Sequence, residues 1–543
     1  MTDSRKNNTI TAVYLILAAA VLAGLIARCP YGFPSDEALY LLVPFRVIGG
    51  DIPILHEWHP TQISDIWIHP LVALFLKVTG STDGIFLTFR YIYTVIWWIF
   101  ALFCFLRLRK ISPAGSAIAS LAIMIYAPYN EMALYYNTIG IMTLVSSCII
   151  VLTAERELKF QYTVAGFLLA VAITCCPYLI ILFVIAAVYC VVTKAIRSIL
   201  IYITAGAAAA FVIFCIYFLS RSSISSVLGS ISHLTSDREH QIGIADKLLT
   251  YAGSILFPTM TAFICIVVFA ILCIVIKFTN KKAAGFAITA ALVIIMQVSL
   301  ILENYFINSF MLAPSLLGLY AYLFSGKEEI SRIFRYIWIP GLIYTFCINL
   351  SSNLGFSAAA SAASVMTFAS LLSAVIFARE NFDITKIPTV VLAVIAAFQI
   401  GLQLNARMNS VFDKTSIRYM TETLETGSVK GIKTTPGRIH YYGWMTSDTA
   451  PLHAENINRV LILSPESWLY MDAGKQIGSY TCWSPIIDGY TIELLDEYYG
   501  LYPDKKPDAV YVESYYTDLV PLLEERGYHG DVTALGGYIL YPD

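Results

Sequence analysis

The sequence predicts an α-helical polytopic membrane protein with about thirteen transmembrane helices and a small extracytoplasmic α/β domain at its C-terminal end. Three observations carry this reading. Charged residues make up only 13% of the chain and hydrophobic residues 58%, whereas a soluble domain carries about 25% charged residues. Apolar runs long enough to cross a bilayer follow one another as far as Leu404. Beyond them the chain turns polar, and strand and helix patterns replace the runs. The net charge of −2 excludes bulk attraction to nucleic acid.

A helix needs about 20 apolar residues to cross the hydrocarbon core. Runs of this kind lie near Ile10–Ala27, Ile85–Leu106, Ala114–Ala127, Thr138–Leu152, Tyr162–Thr174, Tyr178–Val192 and Ser198–Leu219. Others follow near Phe257–Ile276, Phe286–Leu302, Ser309–Phe324, Ile333–Leu350, Ser361–Phe377 and Pro388–Leu404. Together they define a transmembrane domain over residues 1–404. The first run does not read as a cleaved signal peptide. Arg28-Cys29-Pro30 after it lacks the small-residue cleavage pattern, and apolar spans continue downstream. Most cysteines fall inside apolar runs without metal spacing and read as small buried hydrophobes.

Loop charges set the orientation. One set of short connections holds Arg107, Arg109 and Lys110, then Arg156 and Lys159, then Lys194 and Arg197. The same side continues with Lys277, Lys281 and Lys282, then Lys327, Arg332 and Arg335, then Arg379 and Lys386. The opposite connections, around Tyr129–Asn137, Cys176–Tyr178, Glu303–Asn308 and Ser351–Gly355, hold no Lys or Arg. The positive-inside rule makes the first set cytoplasmic, with the N-terminus inside and the C-terminal segment outside a cell membrane. Three outer segments are long: residues 28–84, residues 220–256 and residues 405–543. In the last, Arg459–Ser464 and Ala509–Glu513 read as strands, Leu519–Arg526 as a helix and Gly537–Leu540 as a final strand.

The first outer loop carries the most chemistry. It reads Phe33-Pro34-Ser35-Asp36-Glu37-Ala38-Leu39-Tyr40, continues through Arg46, Gly49-Gly50-Asp51 and His56-Glu57-Trp58-His59-Pro60, and re-enters the membrane at Thr88-Phe89-Arg90-Tyr91. Leu39, Leu42, Val43 and Val47 recur at helical spacing, which predicts a helix lying on the membrane surface from Asp36-Glu37 onward. Leu71–Val78 predicts a second. Two readings of the acids stand. Ser35 or Asp36 caps the helix and the acids favour its positive end, or a carboxylate at the membrane–water boundary serves as a general base toward a hydroxyl.

The Asp36-Glu37 pair followed by Tyr40, the Gly49-Gly50-Asp51 turn, His59-Pro60, a second surface helix and then Arg90 entering a span resemble the GT-C superfamily of integral-membrane glycosyltransferases. The likeness is greatest to bacterial relatives of the protein O-mannosyltransferases and of the lipid A aminoarabinose transferase. It implies a sugar carried on a polyprenyl phosphate and transferred outside the membrane to a glycan, lipid or protein acceptor. It also implies a catalytic role for Asp36, with Glu37 beside it, and for an acid in the next outer loop, where Glu131 is the one acid between Tyr129 and Asn137.

Such a transfer needs donors for the phosphate leaving group, on which charge grows. Arginine suits this best through its fixed fork of donors. Arg46, Arg90 and Arg221 are the outer-side candidates, with Arg238, Lys247, His56, His59 and His69 beside them. Tyr40, Tyr135 and Asn137 offer rings for stacking on a sugar and an amide for its hydroxyls; aromatic-belt anchoring and turn chemistry are the plainer account. His56-Glu57-x-His59 is a set of zinc-type ligands. Some enzymes of the resembled family use a divalent ion and others do not, so no cofactor is assigned and a divalent cation stays open. Competing readings are a transporter or flippase, and a polysaccharide ligase or polymerase of cell-envelope glycans. A transporter keeps ionisable residues at mid-membrane, whereas here the spans are nearly free of charge and the acids sit at the boundary.

Overall fold

The computed structural model of the chain describes residues 3–155, 158–193, 197–234, 243–256, 259–303, 311–351, 355–382 and 387–543. Arg238 lies outside the described residues, as do residues 304–308 and 352–354 of the two later connections without Lys or Arg.

The chain begins with α1 (Asp3–Arg28), a long apolar helix whose outward side chains expect lipid. The first long loop holds α2 (Glu37–Ile48), a 3-10 turn at Pro60–Trp67 and α3 (His69–Thr79). Then come α4 (Ile85–Leu108), α5 (Pro113–Ile125), α6 (Tyr136–Thr153), α7 (Lys159–Cys175), α8 (Ile180–Val192) and α9 (Arg197–Leu219). The second long loop holds α10 (Ile224–Leu234) and α11 (Ile244–Leu256). The helical part closes with α12 (Met260–Thr279), α13 (Lys282–Leu302), α14 (Ser315–Phe324), α15 (Glu328–Ile333), α16 (Ile339–Leu350), α17 (Phe356–Ala362), α18 (Ser364–Asn381) and α19 (Ile387–Asn409). Seven of the described helical stretches are long and apolar enough to cross a membrane: α1, α4, α6, α9, α12, α13 and the run from α15 through α16. The chain is a multi-pass α-helical membrane protein.

Local chemistry explains the irregularities that matter. Pro113 opens α5 where no intrahelical N–H is needed, and Ser112 caps it by accepting from the Gly115 N–H at 3.2 Å. The helix stops at Tyr126, whose backbone is extended two residues before Pro128. Between α15 and α16 a π-turn spans Phe334–Trp338, just before Pro340, whose ring cannot fit against the carbonyl of an unbroken α-turn. Helices α7 and α9 approach closely because each offers a glycine. A Cβ on Gly166 would collide with the Ile203 carbonyl, and one on Gly206 with the Thr163 carbonyl.

The C-terminal part is an α/β domain. A short ribbon pairs β1 (Glu422–Thr423) with β2 (Lys433–Thr434). The main sheet contains β3 (Arg459–Leu463), β4 (Gln476–Ile477), β5 (Ala509–Val512), β6 (Tyr528–Val532) and β7 (Tyr538–Pro542), in the order β4-β3-β5-β7-β6. β3 runs parallel to β4 and β5, and β7 runs antiparallel to β5 and β6. Helices α20 (Pro436–Asp448), α21 (Leu469–Ala473), α22 (Thr491–Leu501) and α23 (Val520–Glu524) cover it. Strand alternation sends Leu461, Leu463, Val510 and Val512 into a core with Leu495 and Tyr498. Val460, Ile462, Ala509 and Tyr511 point the other way, into the core that also holds α2 and the membrane helices. The parallel central strands β3 and β5 are therefore buried on both faces, while β6 at the edge is exposed.

This packing changes the surroundings of α2. The spacing of its apolar residues predicts a helix on the membrane surface, yet ten of its residues, Glu37 to Pro44 with Arg46 and Val47, are buried. The C-terminal domain covers the side the sequence leaves to water. Backbone hydrogen bonds tie the two segments together: Gly32 N–H to Lys433 O (3.0 Å), Trp58 N–H to Tyr480 O (2.8 Å) and Gly84 N–H to Gly427 O (3.0 Å).

Candidate functional site

The site forms where α2, the start of α4 and the connection between α5 and α6 meet. Asp36 is the N-cap residue of α2 by position, but its side chain makes no capping hydrogen bond to that helix. It is half-buried at the mouth of the site. Glu37, next along, is buried and pairs with Arg90 of α4 through both carboxylate oxygens. Arg90 Nε donates to Glu37 Oε2 at 3.0 Å, and a second guanidinium nitrogen bonds Oε1. The remaining Arg90 nitrogen donates to the carbonyls of Cys29 (3.2 Å) and Tyr31 (3.3 Å). A buried bidentate pair of this kind fixes both partners.

The α5–α6 connection brings Glu131 to the same place by an unusual path. Tyr129 and Asn130 both adopt left-handed backbone, with φ of 55° and 63°, a conformation that costs about 1–2 kcal/mol at a residue with a Cβ. Asn130 is clamped to the end of α19. Its Nδ2 donates to Ser410 O (2.9 Å) and Ala406 O (3.3 Å), and its Oδ1 accepts from Arg407 (3.1 Å). Glu131 emerges buried, and its Oε1 has no hydrogen-bond partner among the described residues. Burial pushes the Glu131 carboxyl well above the usual carboxylate range, and the neighbouring Asp36 and Glu37 charges push the same way. Asp36 and Glu131 thus form a carboxyl pair whose environments differ: one half-exposed at the mouth, one enclosed.

Aromatic rings wall the pair. Tyr40 stacks on Tyr135 with centroids 4.6 Å apart and meets Tyr136 edge-on at 6.1 Å. Thr138 in the first turn of α6 holds its start: its Oγ1 accepts from the Tyr135 N–H at 3.0 Å. Asn137, in the first turn of α6, is buried, and its Oδ1 has no partner among the described residues. Of the residues singled out in the sequence, the fold brings together Asp36, Glu37, Tyr40, Arg90, Glu131, Tyr135 and Asn137.

Three others lie elsewhere. Arg46 is buried at the junction with the C-terminal domain. It donates to Asp51 (2.6 Å), Glu57 (3.0 Å), the Ser479 carbonyl (2.5 Å) and Tyr498 Oη (2.8 Å). His59 begins the Pro60–Trp67 turn, with Nδ1 2.7 Å from Thr61 Oγ1. Arg221 is exposed beyond α9, over the Tyr217 ring at 4.6 Å, and Tyr217 in turn meets His69 Nδ1 at 3.2 Å. The zinc-type triplet is dispersed in its bonding. His56 Nδ1 faces Asp51 (3.6 Å) and accepts from the Ile52 N–H, Glu57 holds Arg46, and His59 caps its turn. Among the described residues no group of three or more His, Cys, Asp or Glu side chains is placed to hold a metal ion.

Sequence reasoning missed Arg28 and Arg407. Both are buried arginines in the last turns of apolar helices, α1 and α19. Arg28 donates to the carbonyls of Arg407 (2.8 Å), Tyr31 (2.6 Å) and Ser410 (2.5 Å), closing the negative end of α19. An arginine at a span end ordinarily reads as snorkelling to water. The signal that sets these apart is that the following chain folds back over them.

No family model matches the chain, and no curated protein matches it in sequence. Solved structures of similar chain path exist. The oligosaccharyltransferase AglB from Archaeoglobus fulgidus, in complex with an inhibitory peptide and a dolichol-phosphate, is 11% identical with a TM-score of 0.49, over 99% of this chain and 74% of that one. The Archaeoglobus fulgidus oligosaccharyltransferase tethered to an acceptor peptide is 13% identical with a TM-score of 0.48, over 98% of this chain and 74% of that one. The same archaeal enzyme in complex with Zn and sulfate is 12% identical with a TM-score of 0.48, over 95% and 71%.

Proposed function

We propose that the protein is a glycosyltransferase that moves a sugar from a polyprenyl-phosphate carrier to an acceptor hydroxyl on the extracytoplasmic side of the membrane. The observation that carries the reading is the Asp36–Glu131 carboxyl pair, one half-exposed and one buried, beside the stacked tyrosines of α2 and α6. Asp36 is the general base. Its half-exposed carboxylate takes the acceptor's proton as the acceptor oxygen bonds to the anomeric carbon. The bond from that carbon to the phosphate oxygen breaks, and the electron pair leaves with the polyprenyl phosphate. Glu131, enclosed and held toward its neutral form, donates a hydrogen bond to a sugar or phosphate oxygen. Glu37 and Arg90 hold the two walls of the site at fixed separation. Tyr40 and Tyr135, stacked on each other, form an aromatic wall beside the sugar, and Asn137 supplies an amide for its hydroxyls. No step here depends on a divalent ion.

The test uses the full chain in lipid nanodiscs with a polyprenyl-phosphate sugar. Release of sugar from the carrier is expected to fall by about 10²–10⁴ in Asp36→Asn. Full turnover by folded Asp36→Asn overturns the base assignment. Proton- or sodium-coupled uptake without covalent transfer overturns the enzyme reading and favours a transporter.

A further inference from the structure

The α5–α6 connection and the helices α4, α6, α16 and α19 carry five buried polar atoms with no hydrogen-bond partner among the described residues: Glu131 Oε1, Tyr93 Oη, Asn137 Oδ1, Tyr344 Oη and Arg407 Nε. Their residues are at most 5% exposed. Buried polar groups in folded proteins are nearly always hydrogen-bonded, so five in one region mark a place built to receive a polar group. The fold brings them together. Arg407 donates to Asn130 Oδ1 (3.1 Å) and O (3.3 Å), the residue before Glu131. Tyr93 lies one turn along α4 from Arg90 and within electrostatic range of both Arg407 and Glu131. The Tyr344 hydroxyl abuts α6 one turn from Asn137; a Cβ on Gly140 would stand 2.7 Å from it.

Charge indicates what belongs there. Arg28, Arg90 and Arg407 lie within electrostatic range of one another. Among the described residues, Arg90 alone of the three has a carboxylate within ion-pair distance. Arg28 is satisfied by three backbone carbonyls. Arg407 carries a buried positive charge, an unused Nε–H and the Tyr93 hydroxyl beside it. Cations are buried in proteins when an anion offsets them. At the other end the groups on offer are the Glu131 and Asn137 oxygens, which suit hydroxyls.

We propose that Arg407 and Tyr93 form the anion-binding end of this buried site and take a phosphate ester, with the group it carries directed toward Glu131 and Asn137. The assignment deepens the proposed function, because it places the carrier's phosphate on residues other than Arg46, Arg90 and Arg221. Arginine and tyrosine hydroxyl together grip a phosphate oxygen that develops charge as the sugar departs.

The experiment measures binding of undecaprenyl phosphate, undecaprenol and inorganic phosphate to the full chain in nanodiscs. The wild type is expected to prefer undecaprenyl phosphate to undecaprenol by about tenfold or more. Arg407→Gln and Tyr93→Phe are expected to lose most of that preference, while Arg335→Gln, an exposed arginine far along the chain, keeps it. Tyr93→Phe preserves the ring and covers the case in which Arg407→Gln fails to fold. Equal binding of inorganic phosphate, lost in the same variants, supports the anion site and makes free phosphate its source. Unchanged preference in both variants overturns the proposal. If phosphate binding depends on Arg407 but no sugar leaves the carrier, the site stands and the glycosyltransferase reading falls. If Asp36-dependent transfer proceeds undiminished in Arg407→Gln, the glycosyltransferase reading stands and the site falls.

Discussion

Replacing Arg46 by methionine should loosen the C-terminal domain from the first loop. The guanidinium makes four hydrogen bonds, two within the loop to Asp51 and Glu57 and two across the junction to Ser479 O and Tyr498 Oη. Removing one partner of a buried ion pair costs about 3–5 kcal/mol, mostly through the charge left behind. Here the residual charges keep some support. Asp51 retains Lys505 at 2.8 Å, and Glu57 retains the backbone N–H groups of Cys482 (2.7 Å) and His59 (3.1 Å). Those partners pull the cost toward the lower end, while the stranded Ser479 carbonyl adds about 1 kcal/mol. A net loss of about 4 kcal/mol corresponds to about 10³ in the opening equilibrium. Native-state proteolysis of the detergent-solubilised protein reads this directly as the cleavage rate at sites the junction protects. The pH dependence offers a second reading of the same network. Burial raises the Asp51 carboxyl, but Arg46, His56 and Lys505 outweigh it and hold the group well below the usual range. A carboxylate depressed by folding contributes stability above its unfolded value of about 3.9, and that stability is lost as pH falls below it. Protection should therefore decay on acidification below about pH 4, and Asp51→Asn should flatten that decay. A folded Arg46→Met protein whose opening differs from wild type by less than 1 kcal/mol, or about fivefold, would refute the account.

Three further perturbations follow from the geometry. Glu131→Gln should gain stability relative to wild type as pH rises above about 4.3, because the wild-type carboxyl is raised by burial and ionising it opposes folding; melting temperatures of both proteins from pH 4.5 to pH 8 should diverge, and a constant gap sinks the assignment. Gly206→Ala should cost about 1–3 kcal/mol by forcing α9 off the Thr163 carbonyl of α7, measured as a lower midpoint of thermal unfolding in detergent. Asn130→Ala and Asn130→Gly lose the same bonds to Arg407, Ala406 and Ser410, but only glycine adopts φ of 63° without a Cβ penalty; the glycine variant should be the more stable by about 1 kcal/mol, while both lose phosphate binding alike.

What the sequence discloses depends on how local the cause is. The predicted span Ile85–Leu106 corresponds to α4, Ile85–Leu108, because lipid demands a long apolar run wherever the chain crosses. The surface-helix spacing of Leu39, Leu42, Val43 and Val47 corresponds to α2, and Leu71–Val78 to α3. Arg459–Ser464 and Ala509–Glu513 correspond to β3 and β5; β4 and β6 went unread, the first because it has two residues and the second because His529-Gly530-Asp531 carries no strand pattern. Partners far apart in sequence could not be read at all. Nothing near Arg46 announces Tyr498, and nothing near Asn130 announces Arg407. The acids and rings of the site stand out because they sit close together in sequence, in the first outer loop and the α5–α6 connection. The cations that complete it do not, because an arginine ending an apolar helix looks the same whether water or protein covers it.

The costly features of the chain concentrate around one connection. Two successive left-handed residues precede Glu131; among the described residues its Oε1 has no hydrogen-bond partner, and Arg28 and Arg407, at the ends of α1 and α19, have no carboxylate within ion-pair distance. Apolar replacements of buried charges are often neutral or stabilising, so stability alone does not account for them. Strained backbone persists where the surroundings over-determine it, commonly at sites of chemistry. Here the over-determination is visible: Asn130 is held by Ala406 and Arg407 of α19 and by Ser410 just after it, Arg28 closes that helix, and the C-terminal domain covers α2 so that Glu37 and Arg90 meet away from water. Among the described residues of the cluster, Asp36 at the rim is half-exposed while Glu37 and Glu131 are buried; under the proposed function that places the base where an acceptor hydroxyl would enter, and the buried arginines where charge on a departing phosphate would be offset.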